Sequence, residues 1–376
     1  MNILILNYEW PPLGGGGGPV AENLATMYVA FGHSVDVVTM RYRGQPREET
    51  RDGVRLHRVW CLRKRMETCE TPEMLTYVLS GFLPAVRLCR ALKPDVIHCH
   101  FAVPTGLLAW MVHRATGTPY IVTVHGSDLP GHNTARFVFA HHFTRPVLRL
   151  VLNNAAQIVS PSHFLATHLQ NVAGPYDVEV IPNGIEYQRF SDAHPDRKMA
   201  ILMSGRLLKP KGFIETLQAL AQVPGDYEVH VAGDGPMRQD MERIASGMTQ
   251  RVTFHGWLNS ASDELRRLYE TCSIFSLPSE RENAPVSLLE AMAAGMAVVT
   301  SDGSGCRETI GDAGFVVRPH SVNELREAFR QLLASPERVA DLGRRARKRV
   351  EECFDRRKLA ERYAHLLHAV VENRTR

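Results

Sequence analysis

Two glutamates with seven residues between them, Glu282 and Glu290 in ENAPVSLLEAMAAG, are the side chains in this sequence best placed to do chemistry. Pro285 and the apolar run Leu288, Leu289, Met292 predict a helix that starts near Ala284, with Asn283 or Ala284 capping it. Glu282 then stands just before a helix N-terminus, and Glu290 nearly two turns inside. The free N–H groups and positive dipole end make the mouth of such a helix an anion site. Eight residues of helical rise span roughly 12 Å, comparable with the distance from ribose to sugar in a nucleotide diphosphate sugar. One carboxylate can accept ribose hydroxyls while the other faces the sugar. Spacing alone equally fits a helix that carries two unrelated surface glutamates.

Other candidates follow apolar runs that read as strands, and in an open parallel sheet ligands sit outside the carboxyl ends of the strands. After Ala200 to Ser204 come Gly205 and Arg206, then Lys211 and Gly212. Arg206 and Lys211 can clamp a diphosphate, one as a planar fork and the other as a point charge, or can be plain surface charge. After Glu228 to Ala232, the turn Gly233-Asp234-Gly235-Pro236 lets backbone approach a ligand with no Cβ in the way, or is explained by turn geometry alone. After Val252 to Phe254, the peptide groups of His255, Gly256 and Trp257 can meet a nucleobase or merely end a strand.

In the first half, Tyr8-Glu9-Trp10-Pro11-Pro12-Leu13 leads into Gly14 to Gly18. The prolines and the gap after the strand spoil a G-x-G-x-x-G dinucleotide pattern, so the stretch is expected as a flexible loop lining a cleft. His125-Gly126-Ser127-Asp128 follows the strand Tyr120 to Val124 directly, which makes His125 a site candidate. His98, His100, His113, His141 and His142 lack H-E-x-x-H or mixed Cys/His spacing, and no metal site is expected.

These residues need strands to carry them. Short β-branched runs alternate with helical patterns at Pro19 to Phe31, Pro72 to Leu92, Pro104 to Ala115 and Ser162 to Gln170, the signature of a parallel α/β sheet. The alternation lapses over Ile181 to Lys198, which reads as a linker, then restarts with strands at Ala200 to Ser204, Glu228 to Ala232, Val252 to Phe254, Ile274 to Leu277, Ala297 to Thr300 and Phe315 to Val317. The expected architecture is α/β, two Rossmann-like doubly wound domains facing each other across a cleft. Residues 1–185 form the first and 186–355 the second, and 376 residues suit two domains. The amphipathic stretch Arg356 to Val371 can finish the second domain or cross to the first.

Composition narrows the partners. The net charge is +4, but Arg41 to Arg65 holds nine Arg or Lys against three acids. That run is a solvated face or a contact for an anionic surface, and nothing beside it reads nucleic acid. Phe137 to Leu152 is apolar, with Arg145 and Arg149 interposed: a core helix, or a segment that docks in a membrane interface. Seven scattered cysteines and no C-x-x-C predict a reducing cytosol and no disulfide framework. No window of about 18 apolar residues predicts a spanning helix, so the protein is expected in the cytoplasm, at most peripheral to the inner membrane face.

Taken in order, GGGGGPV, HGSD, IPNGI, SGRL with KG, VAGDGP, and Glu282 to Glu290 followed by AMAAG resemble the GT-B glycosyltransferases of family 4, over nearly the whole chain. The resemblance implies retaining transfer of a hexose or related sugar from a UDP- or GDP-linked donor to an acceptor hydroxyl, with no obligatory metal or other cofactor. It implies that Arg206 and Lys211 neutralise the diphosphate and that Glu290 holds the ribose. Glu282 and the backbone of Asn283, Ala284 and Pro285 would hold the donor sugar, with Gly233 and Gly256 also on the donor side. His125 would face the reacting sugar, Gly15, Gly16 and Gly17 would line the phosphate and acceptor side, and the last helix would return to the first domain. The family often has Gly-Phe-Gly after its first glutamate where this chain has Asn283-Ala284-Pro285, which bears on the preferred sugar. With the basic run and the apolar segment, the expected acceptor is a lipid-linked glycan or polysaccharide precursor. An epimerase or phosphorylase on the same fold, and a NAD-binding or non-catalytic ligand-binding protein, are the alternatives.

Overall fold

Aliphatic runs with no polar alternation make strands buried on both faces, as a parallel sheet covered by helices requires. In the computed structural model eight strands form the first sheet: β1 (Asn2–Leu6), β2 (Ser34–Met40), β3 (Glu48–Arg51), β4 (Val54–Val59), β5 (Val96–His100), β6 (Tyr120–Thr123), β7 (Gln157–Ser160) and β8 (Val178–Val180). Their order is β3-β4-β2-β1-β5-β6-β7-β8, parallel except where β3 pairs antiparallel with β4. The second sheet holds β9 (Lys198–Ser204), β10 (Glu228–Ala232), β11 (Val252–Gly256), β12 (Cys272–Leu277), β13 (Ala297–Ser301) and β14 (Gly314–Val317), ordered β11-β10-β9-β12-β13-β14. Residues 1–66, 68–131, 141–191, 197–260 and 262–375 are described, the side chains of 141–144 and 375 excepted.

The chain divides into two compact units, Met1–Asn183 with Arg357–Arg376, and Gly184–Arg356. In each sheet the strand order reverses direction once: between β1 and β5 in the first unit, and between β9 and β12 in the second. Such a switch point opens a crevice at the strands' carboxyl ends, so the loops after these four strands carry the candidate sites. The last helix, Arg356–Thr375, buries Leu359, Ala360, Tyr363 and Leu367 in the first unit's core with Ile3, Ile5 and Tyr28.

Several elements differ from the sequence expectation. Strand β3 lies inside the basic run, and much of that charge is internal: Arg58 pairs with Glu49 at 2.5 Å and Arg55 with Asp36 at 2.6 Å. β3 has no apolar alternation, because its Glu and Arg side chains face one another along a sheet edge. The Ile181 to Lys198 stretch contains a 3₁₀ turn at Tyr187–Arg189 and gives Ile185 and Phe190 to the second unit's core; residues 192–196 lie outside the described part. Of Phe137 to Leu152, positions 137–140 lie outside the described residues, as do the side chains of His141 and His142. The described remainder belongs to helix His141–Asn154, whose Leu148, Val151 and Leu152 are core residues, so this face of the helix packs inward. Helix Thr71–Leu92 is long and apolar enough by composition to cross a membrane, yet Tyr77, Val78, Gly81, Ala85, Val86 and Cys89 are buried along it.

Candidate functional site

In the second unit, β9 hands over to the Gly205–Gly212 loop. Gly205 donates to the Ala232 carbonyl at 3.0 Å and Leu207 to that of Asp234 at 2.9 Å, lacing the loops after β9 and β10 together. A Cβ on Gly233 would stand 1.9 Å from the Gly205 carbonyl oxygen, with φ at +153°. Gly233 is therefore required by backbone packing on backbone, whether or not a ligand also approaches the turn.

Arg206, the first side chain past this junction, is exposed. Lys211 closes a 3₁₀ turn at Lys209–Lys211, and its Nζ forms a short ion pair with the Glu282 carboxylate. Both side chains are largely buried, at 20% and 16% exposure. The carbonyl of Glu282 accepts the Gly305 amide at 2.8 Å, and a Cβ on Gly305 would stand 1.9 Å from the Asn283 carbonyl oxygen. The loop after β13 thus clamps the backbone of Glu282 and Asn283.

The helix behind them spans Val286–Ala293 with Pro285 as its N-cap, extended at φ −70° and ψ 126°, and no side chain caps it. It begins two residues later than Ala284. Proline disfavours the helical region for the residue before it, so Ala284 stays outside the helix, which begins at Val286. Only five of the nine residues from Glu282 to Glu290 are helical, and the 12 Å helical rise is not the geometry between the two carboxylates. Glu290 lies in the second turn, 8% exposed. Burial drives its carboxyl up to about 7, and the Tyr269 hydroxyl and Arg189 guanidinium pull it back only in part.

Gly256 also departs from expectation. Strand β11 runs through it, and pairing skips from Val231↔Phe254 to Ala232↔Gly256, leaving His255 as the extra residue of a bulge with Gly256 at φ +71°. His255 Nε2 lies 3.1 Å from His230 Nδ1, and Trp257 is 62% exposed.

In the first unit the glycine loop follows β1 and is pinned along its length. Leu13 donates to Trp10, Gly14 to Met66 and Gly18 to Gly15 through backbone bonds, and Gly15 N donates to Glu9 Oε2 at 3.0 Å. These bonds tie the loop to Glu9, Trp10 and Met66. Gly15 and Gly16 have open space where a Cβ would stand, whereas on Gly17 it would meet the Phe101 ring at 2.4 Å. Phe101 packs between Tyr8, edge to face, and His125, tilted, at centroid distances of 4.9 and 4.4 Å, and has a left-handed φ of +72°. Helix Gly17–Ala30 starts two residues before Pro19.

The contacts of His125 explain its setting. Asp128 Oδ1 accepts the amides of His125 at 3.0 Å and Gly126 at 2.7 Å, and Asp128 Oδ2 accepts that of Ala102 at 2.6 Å. One buried carboxylate so ties the loop after β6 to the loop after β5, and burial raises its pKa against those amides. His125 Nε2 lies 3.1 Å from His100 Nδ1, and His98 packs on His100 at 4.3 Å. Burial pushes His125 down to about 4 and His98 to about 3, so both rings are neutral near pH 7. His100 Nε2 has no partner among the described residues. An orphaned buried N–H costs more than an orphaned lone pair. The lower-energy arrangement therefore places the His100 proton on Nδ1, donating to His125 Nε2. No group of three or more His, Cys, Asp or Glu side chains is arranged to hold a metal ion among the described residues.

Comparison with known proteins agrees with this architecture. Residues 15–184 match the family described as glycosyl transferase 4-like domain, and residues 184–349 match glycosyl transferases group 1. The chain belongs to the family 4 glycosyltransferases. Their GT-B fold is seen in the sucrose-phosphate synthase from Thermosynechococcus elongatus, which superposes with a TM-score of 0.85 at 22% identity over 99% of both chains. The Anabaena protein HepE, solved in complex with UDP-glucose, superposes at 0.78 with 18% identity over 98% of this chain and 100% of its own. Among relatives, the GDP-mannose-dependent monoacylated alpha-(1-6)-phosphatidylinositol monomannoside mannosyltransferase of Corynebacterium glutamicum is 25% identical over 71% of this chain and 74% of its own.

Within this glycosyltransferase, the structure brings Arg206, Lys211, Gly233, Glu282, Asn283, Ala284, Pro285 and Glu290 to the strand ends of the second unit. It brings Gly15, Gly16, Gly17 and His125 to those of the first, where Phe101 bridges Gly17 and His125. Sequence reasoning missed Phe101, His100 and the triple acceptor role of Asp128. The signal for Phe101 was faint: it directly follows a strand, as His125 nearly does.

Proposed function

We propose that the protein is a retaining glycosyltransferase that moves a hexose or related sugar from a UDP- or GDP-sugar to a hydroxyl of a lipid-linked glycan or polysaccharide precursor. The observation that carries this reading is the Lys211–Glu282 ion pair, held at the β9–β12 switch point by the clamp of Gly305 on Glu282 and Asn283. A cation fixed against a carboxylate can release toward a diphosphate while the carboxylate turns to sugar hydroxyls, so one pair serves both halves of the donor. Arg206 adds the second positive charge, and the two cations take the place of a metal. Glu290, deep and partly desolvated, accepts ribose hydroxyls. Asn283, Ala284 and Pro285 present backbone to the sugar, and Gly256 lies on the base side.

In the reaction, the bond from the sugar C1 to the phosphate oxygen breaks and a bond from C1 to the acceptor oxygen forms on the same face. The acceptor proton passes to the departing phosphate, and stabilising the charge on that phosphate is the main task. Neutral His125 donates to or accepts from the reacting sugar, and Gly15 to Gly17 leave room beside it. The UDP-glucose complex of HepE and the GDP-mannose dependence of the Corynebacterium enzyme support a nucleotide-sugar donor, and the latter's lipid substrate supports a lipid-linked acceptor. The proposed setting is the cytoplasm, at the inner membrane face.

Isothermal titration of UDP, GDP, ADP and their sugars against the wild type and Glu290→Ala tests the reading. One nucleotide diphosphate should bind, and the variant should lose it. Product anomers read by NMR should keep the donor's configuration. Binding of NAD with no nucleotide sugar bound would overturn the proposal.

A further inference from the structure

Eight large apolar side chains are exposed among the described residues, and six of them fall on one element and the strand exit beside it: Trp60, Leu62, Leu75, Leu79, Leu83 and Leu92. Leu75, Leu79 and Leu83 recur every four residues along helix Thr71–Leu92, so they line one stripe of about 12 Å. Ser80 Oγ donates to the Trp60 carbonyl, and the Leu62 amide donates to Thr76 Oγ1 at 3.1 Å. These bonds hold the Trp60–Leu62 segment against the flank of the stripe. The opposite side of the helix is fixed in the core by Tyr77, whose hydroxyl donates to the Val38 carbonyl at 2.9 Å. The helix is therefore anchored along its length, and its apolar outer face is what remains on view.

Charge says what covers that face. From Trp60 to Lys93 the chain has six cations and three carboxylates. Glu73 is buried, accepting the amides of Lys64 and Glu70, and Glu70 serves the capping box at the helix start, while Glu67 lies outside the described residues. Lys64 and Arg65 are exposed at one end of the stripe, and Arg87, Arg90 and Lys93 at the other. No carboxylate stands on the exposed helix face between Leu75 and Lys93. Apolar residues in the middle and cations at both ends match an acyl boundary flanked by anionic head groups. A protein partner would need acidic groups opposite both sets of cations, which anionic head groups supply at every point of a bilayer, and the amphipathic ring of Trp60 at the patch edge suits a head-group level.

We infer that the outer face of helix Thr71–Leu92, with Trp60 and Leu62, docks flat on an anionic lipid bilayer. The cations drawn on are Lys64, Arg65, Arg87 and Arg90. Arg63 is not among them: it is buried and its guanidinium holds the carbonyls of Arg65 and Met66. Docking by this face does not depend on which sugar the enzyme transfers.

The test uses the full chain with Trp257→Phe, so that Trp60 is the most exposed tryptophan, and vesicles of phosphatidylcholine with or without phosphatidylglycerol. Anionic vesicles should sediment the protein, blue-shift its fluorescence and quench it when the lipids are brominated near the glycerol. Leu79→Gln with Leu83→Gln, and separately Lys64→Gln with Arg65→Gln, should each weaken partitioning at least tenfold. Nucleotide binding, measured without vesicles, should remain as in the parent. Absence of binding, or binding that both double variants keep, overturns the inference. A wild-type dimer in solution that Leu79→Gln dissolves, together with no vesicle binding, would overturn it in favour of a second copy on this face.

Discussion

Glu290→Gln isolates the cost of burying one carboxylate. The group sits at about 7 in the folded protein because burial disfavours its charge, against about 4.5 when exposed. Between those values the folded state holds the proton and the unfolded chain has lost it, so stability falls as pH rises through the window from about 4.5 to about 7. At about 1.36 kcal/mol for each pKa unit, the loss amounts to about 3 kcal/mol, complete above the folded value. Glutamine keeps the shape and removes the charge. The variant should exceed the wild type by less than about 1 kcal/mol near pH 5 and by up to about 3 kcal/mol near pH 8, with the pH slope gone.

Urea titration at the two pH values, read by hydrogen exchange on peptides covering residues 286–301, reports the unit that carries Glu290 without requiring the whole chain to unfold as one. A variant weakened equally at both pH values would show a carboxylate that is ionised and well partnered in the fold, and would refute the reasoning. The same protein should bind nucleotide diphosphate about ten- to a hundredfold more weakly than the wild type, the worth of a hydrogen bond to a charged group. Wild-type affinity should rise as pH passes upward through about 7, because ribose hydroxyls donate to the ionised carboxylate. Stability up and binding down in one substitution is the mark of a group held in place for function.

Lys211→Met and Glu282→Gln should each lower kcat by about 10²- to 10³-fold with the far-ultraviolet circular dichroism unchanged, since each removes a partly buried partner that charge development requires. Gly233→Ala should lower the urea midpoint by the equivalent of about 2 kcal/mol or more, because a Cβ collides with the Gly205 carbonyl at a left-handed φ. His100→Phe should shift His125 toward the Nε2–H tautomer in ¹⁵N NMR and cut kcat; His100→Asn, which returns an N–H at nearly the same place, should restore both. An unchanged His125 tautomer in the phenylalanine variant would break that assignment.

The strands were readable because a parallel sheet demands aliphatic runs on both faces, and β1, β6 and β13 supply them with little polar interruption. β3 was not readable, since an edge strand needs only one partner and EETR satisfies it with ion pairs to Arg58, Arg51 and Glu22. Helix Val286–Ala293 begins later than its apolar run suggests for a local reason, the effect of Pro285 on Ala284. The exposed leucine stripe was hidden differently. Helix Thr71–Leu92 is apolar almost all round, and sequence cannot say which leucines the core takes until Tyr77 is seen bonded to Val38.

In the site, glycines and charged residues after strands were visible because their types are informative singly, whereas Phe101, His100 and Asp128 gain meaning only from neighbours about 25 residues distant. Phe101 holds a left-handed φ that costs a non-glycine residue of order 1 kcal/mol or more. It stays there because its amide donates to the Thr123 carbonyl at 2.9 Å, its carbonyl accepts the Gly106 amide at 3.0 Å, and Tyr8 and His125 grip the ring. Glycine at 101 would relieve the backbone and lose the ring that separates Gly17 from His125. The strain is thus the cost of placing an aromatic wall where the glycine loop comes closest, and Gly17 is a glycine because that wall leaves no space for a Cβ.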